Sequence, residues 1–133
     1  MIEEVVGSAL AVNKIDVLVL HGSPGSGKST LSRAIAEWLR AADTPHAVID
    51  LDELSLVHPS PRRSFARENL KAIWPNFAAL RELKVILPTV VADEEEVRHL
   101  REAVPSTTFV VCELRAPMAV LTERVMAREP NEF

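Results

Sequence analysis

The sequence predicts an α/β domain built on a parallel sheet with helices on both faces. Three observations carry this. Short runs of branched apolar residues alternate with amphipathic stretches in the order strand, helix, strand, helices, strand, helix, strand, helix. A parallel sheet needs this alternation, because each crossover must return the chain to the same end of the sheet. A glycine-rich loop, Gly22-Ser23-Pro24-Gly25-Ser26-Gly27-Lys28-Ser29, joins the first apolar run to the first helical stretch. Finally, 133 residues that are 47% hydrophobic suit a single domain, residues 1–133, with a buried core.

Each element has a local reason. Ile15 to Leu20 reads as a buried strand, since Ile-Asp-Val-Leu-Val-Leu is rich in branched residues. Ser29 to Ala42 reads as a helix with Leu31, Ala34, Ile35, Trp38 and Leu39 on its apolar face, stopped by Asp43-Thr44-Pro45. Ala47 to Leu51 is a second strand running into Asp50-Leu51-Asp52, and the Pro- and Arg-containing stretch Val57 to Arg63 is a loop. Two helical pieces follow, Ser64 to Ile73 and Pro75 to Leu83, with Pro75 at a first helical position. Lys84 to Leu87 is a third strand closed by Pro88. Asp93 caps a helix to Val104 whose first turn is acidic. Thr107 to Leu114 is a fourth strand and Pro117 to Arg128 a last helix.

Composition narrows the function classes. A formal charge of −4 argues against a general binder of nucleic acid or anionic membranes. The N-terminus, Met1-Ile2-Glu3-Glu4, is acidic where a secretion signal is basic, and no apolar run approaches the ~20 residues of a membrane span. The single cysteine, Cys112, lies in the apolar run Phe109-Val110-Val111-Cys112 and reads as a buried structural thiol in a reducing cytoplasm. His21, His46, His58 and His99 show no metal spacing; His21, beside the glycine loop, suits packing or hydrogen bonding.

The loop carries the chemistry. It matches the G-x-x-x-x-G-K-[ST] phosphate-loop (Walker A) pattern in full, with a strand running in and a helix running out. Gly22, Gly25 and Gly27 allow the backbone to curl so that successive N–H groups point at phosphate oxygens. The helix N-terminus adds its positive end. The spacing predicts a nucleoside triphosphate, ATP with Mg²⁺, whose β- and γ-phosphates Lys28 bridges and whose metal the Ser29 hydroxyl holds. Thr30 either touches the α-phosphate or is an ordinary helix residue.

Inventory separates the kinds of nucleotide protein. No glycine follows Gly27, which removes both the D-x-x-G switch of Ras-like GTPases and the L-S-G-G-Q signature of transporter ATPases. Asn13-Lys14-Ile15-Asp16 spells a guanine-reading motif, but at the start of the strand entering the loop, too far from any base. No strand ends in the Asp-Glu pair of AAA-type ATPases; Glu113 stands without a neighbouring Asp. A small-molecule kinase remains. On strand alternation Asp50 and Asp52 share a side, where one carboxylate can hold Mg²⁺ through water and the other can take an acceptor proton. The alternative is that both acids cap a helix beginning near Glu53.

With these residues named, the chain resembles the small P-loop kinases: shikimate and gluconate kinases, adenylylsulfate kinases, chloramphenicol phosphotransferases and nucleoside monophosphate kinases. The resemblance runs from Ile15 onward and implies a P-loop NTPase sandwich with strand order 2-3-1-4. By the shikimate-kinase pattern it makes Asp50 a metal-side residue and Asp52 the acceptor-side acid or base. The stretch Ser64 to Lys71 is similar to the acceptor-binding helix of adenylylsulfate kinases, which offers Arg67 and Asn69 as acceptor contacts, or else a solvated face. Arg62 and Arg63 either bind an anionic acceptor or are solvated. Leu121 to Arg128 resembles the helix entering the lid, which implies that Arg124 stacks on adenine and Arg128 reaches the phosphates. These kinases continue through a lid, a long helix and a fifth strand, whereas this sequence ends at Phe133. The resemblance therefore implies a missing fifth strand, with a small lid, a truncation or a completing partner as the alternatives. Two functions stay open: phosphoryl transfer from ATP to a small hydroxyl or phosphate acceptor, or nucleotide binding with little or no transfer.

Overall fold

The computed structural model describes residues 14–23 and 25–115. The predicted helix Pro117 to Arg128, with Arg124 and Arg128, lies outside the described residues, as does Pro24.

Among the described residues four strands and three helices alternate: β1 Lys14–His21, α1 Lys28–Ala41, β2 His46–Val48, α2 Phe65–Ala78, β3 Glu82–Thr89, α3 Glu94–Ala103 and β4 Thr108–Glu113. A short 3₁₀ helix, Leu51–Ser55, stands between β2 and α2. The sheet is parallel throughout, in the order β2-β3-β1-β4, as the resemblance implied. Register aligns the carboxyl ends of the central strands: His21 of β1 stands opposite Thr89 of β3 and Glu113 of β4.

Alternation along the strands divides the core in two. Ile15, Val17 and Val19 of β1, with Leu83, Val85 and Leu87 of β3, face α2 and α3 and pack with Leu70, Trp74 and Leu100. Leu18, Leu20 and Ile86 face the opposite way, against Leu31, Ile35 and Leu39 of α1. This is the period of two expected of a pleated sheet covered on both faces. Asp16 and Lys84, paired in register near the other end of the central strands, form an ion pair at 2.7 Å.

Local signals placed most of the elements, and long-range contacts moved the rest. The second strand is three residues rather than five. Ile49 N–H still reaches the Ile86 carbonyl (2.9 Å), but the chain then turns into the 3₁₀ helix. The two helical pieces after residue 63 are one helix, α2, with Pro75 inside it instead of at its start. The ring costs the bond to the Lys71 carbonyl, but Lys71 is an exposed residue and Pro75 sits in the last turn, where little helix remains to disturb. Strand β3 continues through Pro88 to Thr89 rather than closing before the proline. Lys84 N–H donates to the Pro45 carbonyl on the β2 side, and a period of two puts the Pro88 nitrogen on that side as well. There β2 has already ended, so no ladder bond is lost.

Two side chains lie elsewhere than predicted. Trp38 is 70% exposed, because α1 presents Ser32, Ile35 and Leu39 to the sheet and so is rotated from the face the sequence suggested. Cys112 is exposed, not buried, since β4 is an edge strand that pairs only with β1 among the described residues. The Asp93 cap is as predicted: its carboxylate accepts from Glu96 N–H at 3.0 Å, ahead of an acidic first turn.

Two tests follow from this packing. Leu70 is fully buried between the sheet and α3, so Leu70→Ala should cost about 2–5 kcal/mol in urea unfolding. At the exposed start of α2, hydrogen bonds from Arg62 and then Ser64 hold the Glu68 carboxyl down to about 2. Its folded value is depressed, so the stability it confers is present above the ordinary glutamate range and is lost as pH falls toward 2. NMR titration should find that low midpoint in the native chain, and a return toward the ordinary glutamate range in Arg62→Gln.

Candidate nucleotide and acceptor site

The carboxyl ends of β1, β3 and β4 form the floor of the site, and the glycine loop rises from β1. Its shape is forced by what the glycines lack. A Cβ on Gly22 would overlap the Ser26 hydroxyl and stand 3.0 Å from the Leu114 carbonyl oxygen. Gly25 and Gly27 have φ of 82° and 103°, in the left-handed region that other residues avoid. Ser26 N–H closes a turn onto the Ser23 carbonyl (3.1 Å), and Leu31 N–H bonds to the Gly27 carbonyl (2.9 Å) as α1 begins. No side chain caps this helix start. The first N–H groups of α1 therefore open toward the loop, where an anion can satisfy them.

Lys28 folds back over the loop, its ammonium donating to the Gly22 carbonyl and, at 3.3 Å, to the Ser23 carbonyl. Ser29 and Thr30 are exposed on the first turn of α1. A cavity of about 520 Å³ runs beside the loop between Gly25, Gly27, Thr30, Ala34 and Leu114.

His21 ties this floor together. Its Nδ1 accepts from Val91 N–H at 3.1 Å, its backbone carbonyl accepts from Leu114 N–H at 2.7 Å, and its Nε2 lies 4.0 Å from the Glu113 carboxylate. The hydrogen-bonding role expected of His21 is therefore seen, and it joins the residue before Gly22 to the segments that follow β3 and β4.

The two acids are arranged differently from the prediction. Asp50 and Asp52 do not alternate on a strand, because β2 stops at Val48. Asp50 caps the 3₁₀ helix, its Oδ1 accepting from Asp52 N–H at 3.0 Å, and Asp52 lies in the first turn of that helix. The capping alternative thus describes Asp50, which keeps a second carboxylate oxygen. The Asp52 carboxyl is raised above the usual aspartate range, first by partial burial and then by the Asp50 charge, while Lys28 acts in the opposite sense. The loop cation is thus near enough to Asp52 for its charge to be felt there.

Beyond Asp52 a cavity of about 170 Å³ opens between the 3₁₀ helix, α2, the end of β3 and α3. Leu51, Ser55, Ala66, Arg67, Thr89 and Glu96 are among its walls. Of these only Arg67 drew attention in the sequence; Ser55, Thr89 and Glu96 come from segments that meet only in three dimensions. The other acceptor candidates are engaged within the protein. Arg62 pairs with Glu68 and Arg63 with Glu96, while Asn69 donates to the Leu54 carbonyl at 2.7 Å. No cluster of His, Cys, Asp and Glu with the makings of a metal site occurs among the described residues.

No family model matches the sequence, and no curated protein matches it. Solved structures do match the fold. APE1195 is 21% identical with a TM-score of 0.69, over 91% of this chain and 74% of that one. The APS kinase CysC of Mycobacterium tuberculosis, solved in complex with AMPPNP and APS, is 18% identical with a TM-score of 0.67, over 90% of this chain and 75% of that one. A gluconokinase from Sinorhizobium meliloti is 27% identical with a TM-score of 0.58, over 86% of this chain and 65% of that one. The fold is that of the P-loop small-molecule kinases.

The loop geometry makes its own prediction. Gly22→Ala should leave the fold intact by circular dichroism but weaken Mg·ATP binding at least tenfold in calorimetry, because the added methyl displaces Ser26 or Leu114.

Proposed function

We propose that this chain is an ATP-dependent kinase that moves the γ-phosphoryl group of Mg·ATP to a small hydroxyl or phosphate acceptor, in a reducing cytoplasm. The observation that supports this best is that Asp52, on which the Lys28 charge bears, lines a cavity separate from the one beside the glycine loop. A nucleotide and a second molecule can then meet at one carboxylate.

The residues present fit the groups the reading requires. Gly22, Ser23, Gly25, Ser26, Gly27, Lys28 and Ser29, with Pro24 assigned from the motif, are the residues that would cradle the phosphates, and the close turn this needs leaves no room for a Cβ at Gly22 beside the Ser26 side chain and the Leu114 carbonyl. Thr30 borders the cavity beside the loop. Ser29 offers an exposed hydroxyl and Asp50 an unused carboxylate oxygen, the hard donors Mg²⁺ prefers. When bound, the metal neutralises charge on the phosphate oxygens. Lys28 exchanges its loop carbonyls for the β- and γ-phosphate oxygens. Asp52 accepts the proton of the acceptor hydroxyl as its oxygen bonds to the γ-phosphorus and the bond to ADP breaks. A carboxyl raised by partial burial is a better base for this step than a fully solvated one. Arg124 and Arg128 are assigned to adenine and to the transferring phosphoryl group by the resemblance of their helix.

Asp52→Asn should reduce transfer by about 10²–10⁴-fold while Mg·ATP affinity stays within about twofold. Radiolabelled ATP with a panel of sugars, nucleosides, nucleotides and antibiotics, alongside calorimetry, makes the measurement. Unchanged turnover removes Asp52 from the reaction. ATP binding without transfer to any acceptor makes the chain a nucleotide-binding module instead.

A further inference from the structure

The two edges of the described sheet are not alike. β2 has 3 residues, and so short an edge offers little for another chain to pair with. β4 has 6 residues, with no proline and no charge before the last of them, Glu113. Val110 is 52% exposed on the α1 face and Val111 39% exposed on the α3 face, so apolar side chains stand open on both sides of the strand. Among the described residues no strand lies beyond it. A long, uncharged edge of this kind is a template for strand addition.

The pairing with β1 fixes where its free hydrogen-bonding groups point. Leu114 N–H donates to the His21 carbonyl, so with a period of two Thr108, Val110 and Cys112 also turn their N–H and C=O groups to β1. Phe109, Val111 and Glu113 turn theirs outward. This outward row is symmetric about Val111. An antiparallel copy of β4 centred there sets Val111 against Val111 and Phe109 against Glu113, and each outward N–H meets an outward carbonyl. Opposed residues of such a pair lie on the same face of the sheet.

The side chains on that face are complementary end to end. Phe109, Val111 and Glu113 all stand on it, in register with Val17, Val19 and His21. At one end the exposed Arg101 of α3 holds its guanidinium 5.1 Å from the centre of the Phe109 ring. At the other end Glu113 is 47% exposed and pairs at 3.0 Å with Arg115, itself an exposed residue. In the antiparallel register the partner's Glu113 stands opposite Phe109 and therefore beside Arg101, and the twofold repeats the pair at the far end. A parallel copy brings like ends together and loses both pairs.

We propose that β4 is a self-association edge. Two copies of this chain pair antiparallel through β4 about a twofold at Val111, joining their sheets into one and setting Arg101 of each copy against the partner's Glu113. A contact of this symmetry closes on itself and stops at two copies. A strand pair of this length is a small interface, so monomer and dimer exchange with concentration. Nothing in this depends on the kinase reading.

The test is made on the full chain, in reducing buffer, by sedimentation velocity over a roughly hundredfold range of concentration. A monomer–dimer equilibrium is expected. Val111→Lys, an exposed position at the centre of the edge, should shift it to monomer with the circular dichroism unchanged. Arg101→Glu and Glu113→Arg each bring like charges together and should each weaken the dimer at least about tenfold. Mixed in equal amounts, those two variants should dimerise with each other, because each supplies the charge the other lacks. A chain that stays monomeric throughout, a dimer that survives Val111→Lys, or a mixture no tighter than its components overturns the proposal. Where Val111→Lys fails to fold, the mixed pair decides alone. A monomer whose Phe109, Val111 and Glu113 amides resist hydrogen exchange has its edge covered by its own residues 1–13 or 116–133, and that result overturns the proposal as well.

Discussion

Everything at this site depends on how closely the backbone after β1 can turn back on itself. Gly22 lies against the Ser26 hydroxyl and the Leu114 carbonyl, and there is room for a hydrogen there but not for a carbon. That close approach brings the start of α1 over the end of the sheet. It leaves the first N–H groups of the helix without intrahelical partners and sets Lys28 above them. His21 fixes the same point from below, bonded to the segments that leave β3 and β4. The shape of the glycine loop is therefore a property of three strand ends held together, more than of the loop sequence alone.

The charges divide along the same lines. Lys28 opens α1, whereas Asp50 and Asp52 belong to the turn after β2, and the Lys28 charge bears on Asp52 against that of Asp50. Behind Asp52, the ion pairs Arg62–Glu68 and Arg63–Glu96 hold the start of α2 and its junction with α3. Exposed pairs of this kind add little to stability. Their effect here is positional: among the described residues they tie the loop before α2 to the first turns of α2 and α3, around the cavity beside Asp52.

The sequence was most legible where structure is local. β1, α1, the loop between them and the Asp93 cap of α3 are specified by neighbouring residues, through branched apolar runs, glycines with positive φ and a carboxylate three residues from its N–H partner. Positions that depend on distant partners were less so. Pro88 lies inside a strand only because β2 ends early beside it. Trp38 is exposed because α1 turns Leu31, Ile35 and Leu39 to the sheet, and Cys112 because β4 lies at an edge of the described sheet. At the site, Lys28, Asp50 and Asp52 were readable as types and spacings, but the acids stand on a 3₁₀ turn instead of a strand. The cavity walls Ser55, Thr89 and Glu96 have no pattern in common, since three separate segments supply them.

The hydrogen bond from Asn69 to the Leu54 carbonyl has a mechanical meaning. It fastens α2 to the 3₁₀ helix that carries Asp52, and Leu51 packs into the same core as Leu70 and Trp74. That core also holds Ile15, Val17 and Val19 of β1, the strand that runs into the glycine loop. The turn that carries Asp52 and the loop that carries Lys28 are therefore braced through the same apolar layer, and a substitution inside that layer would be felt at both.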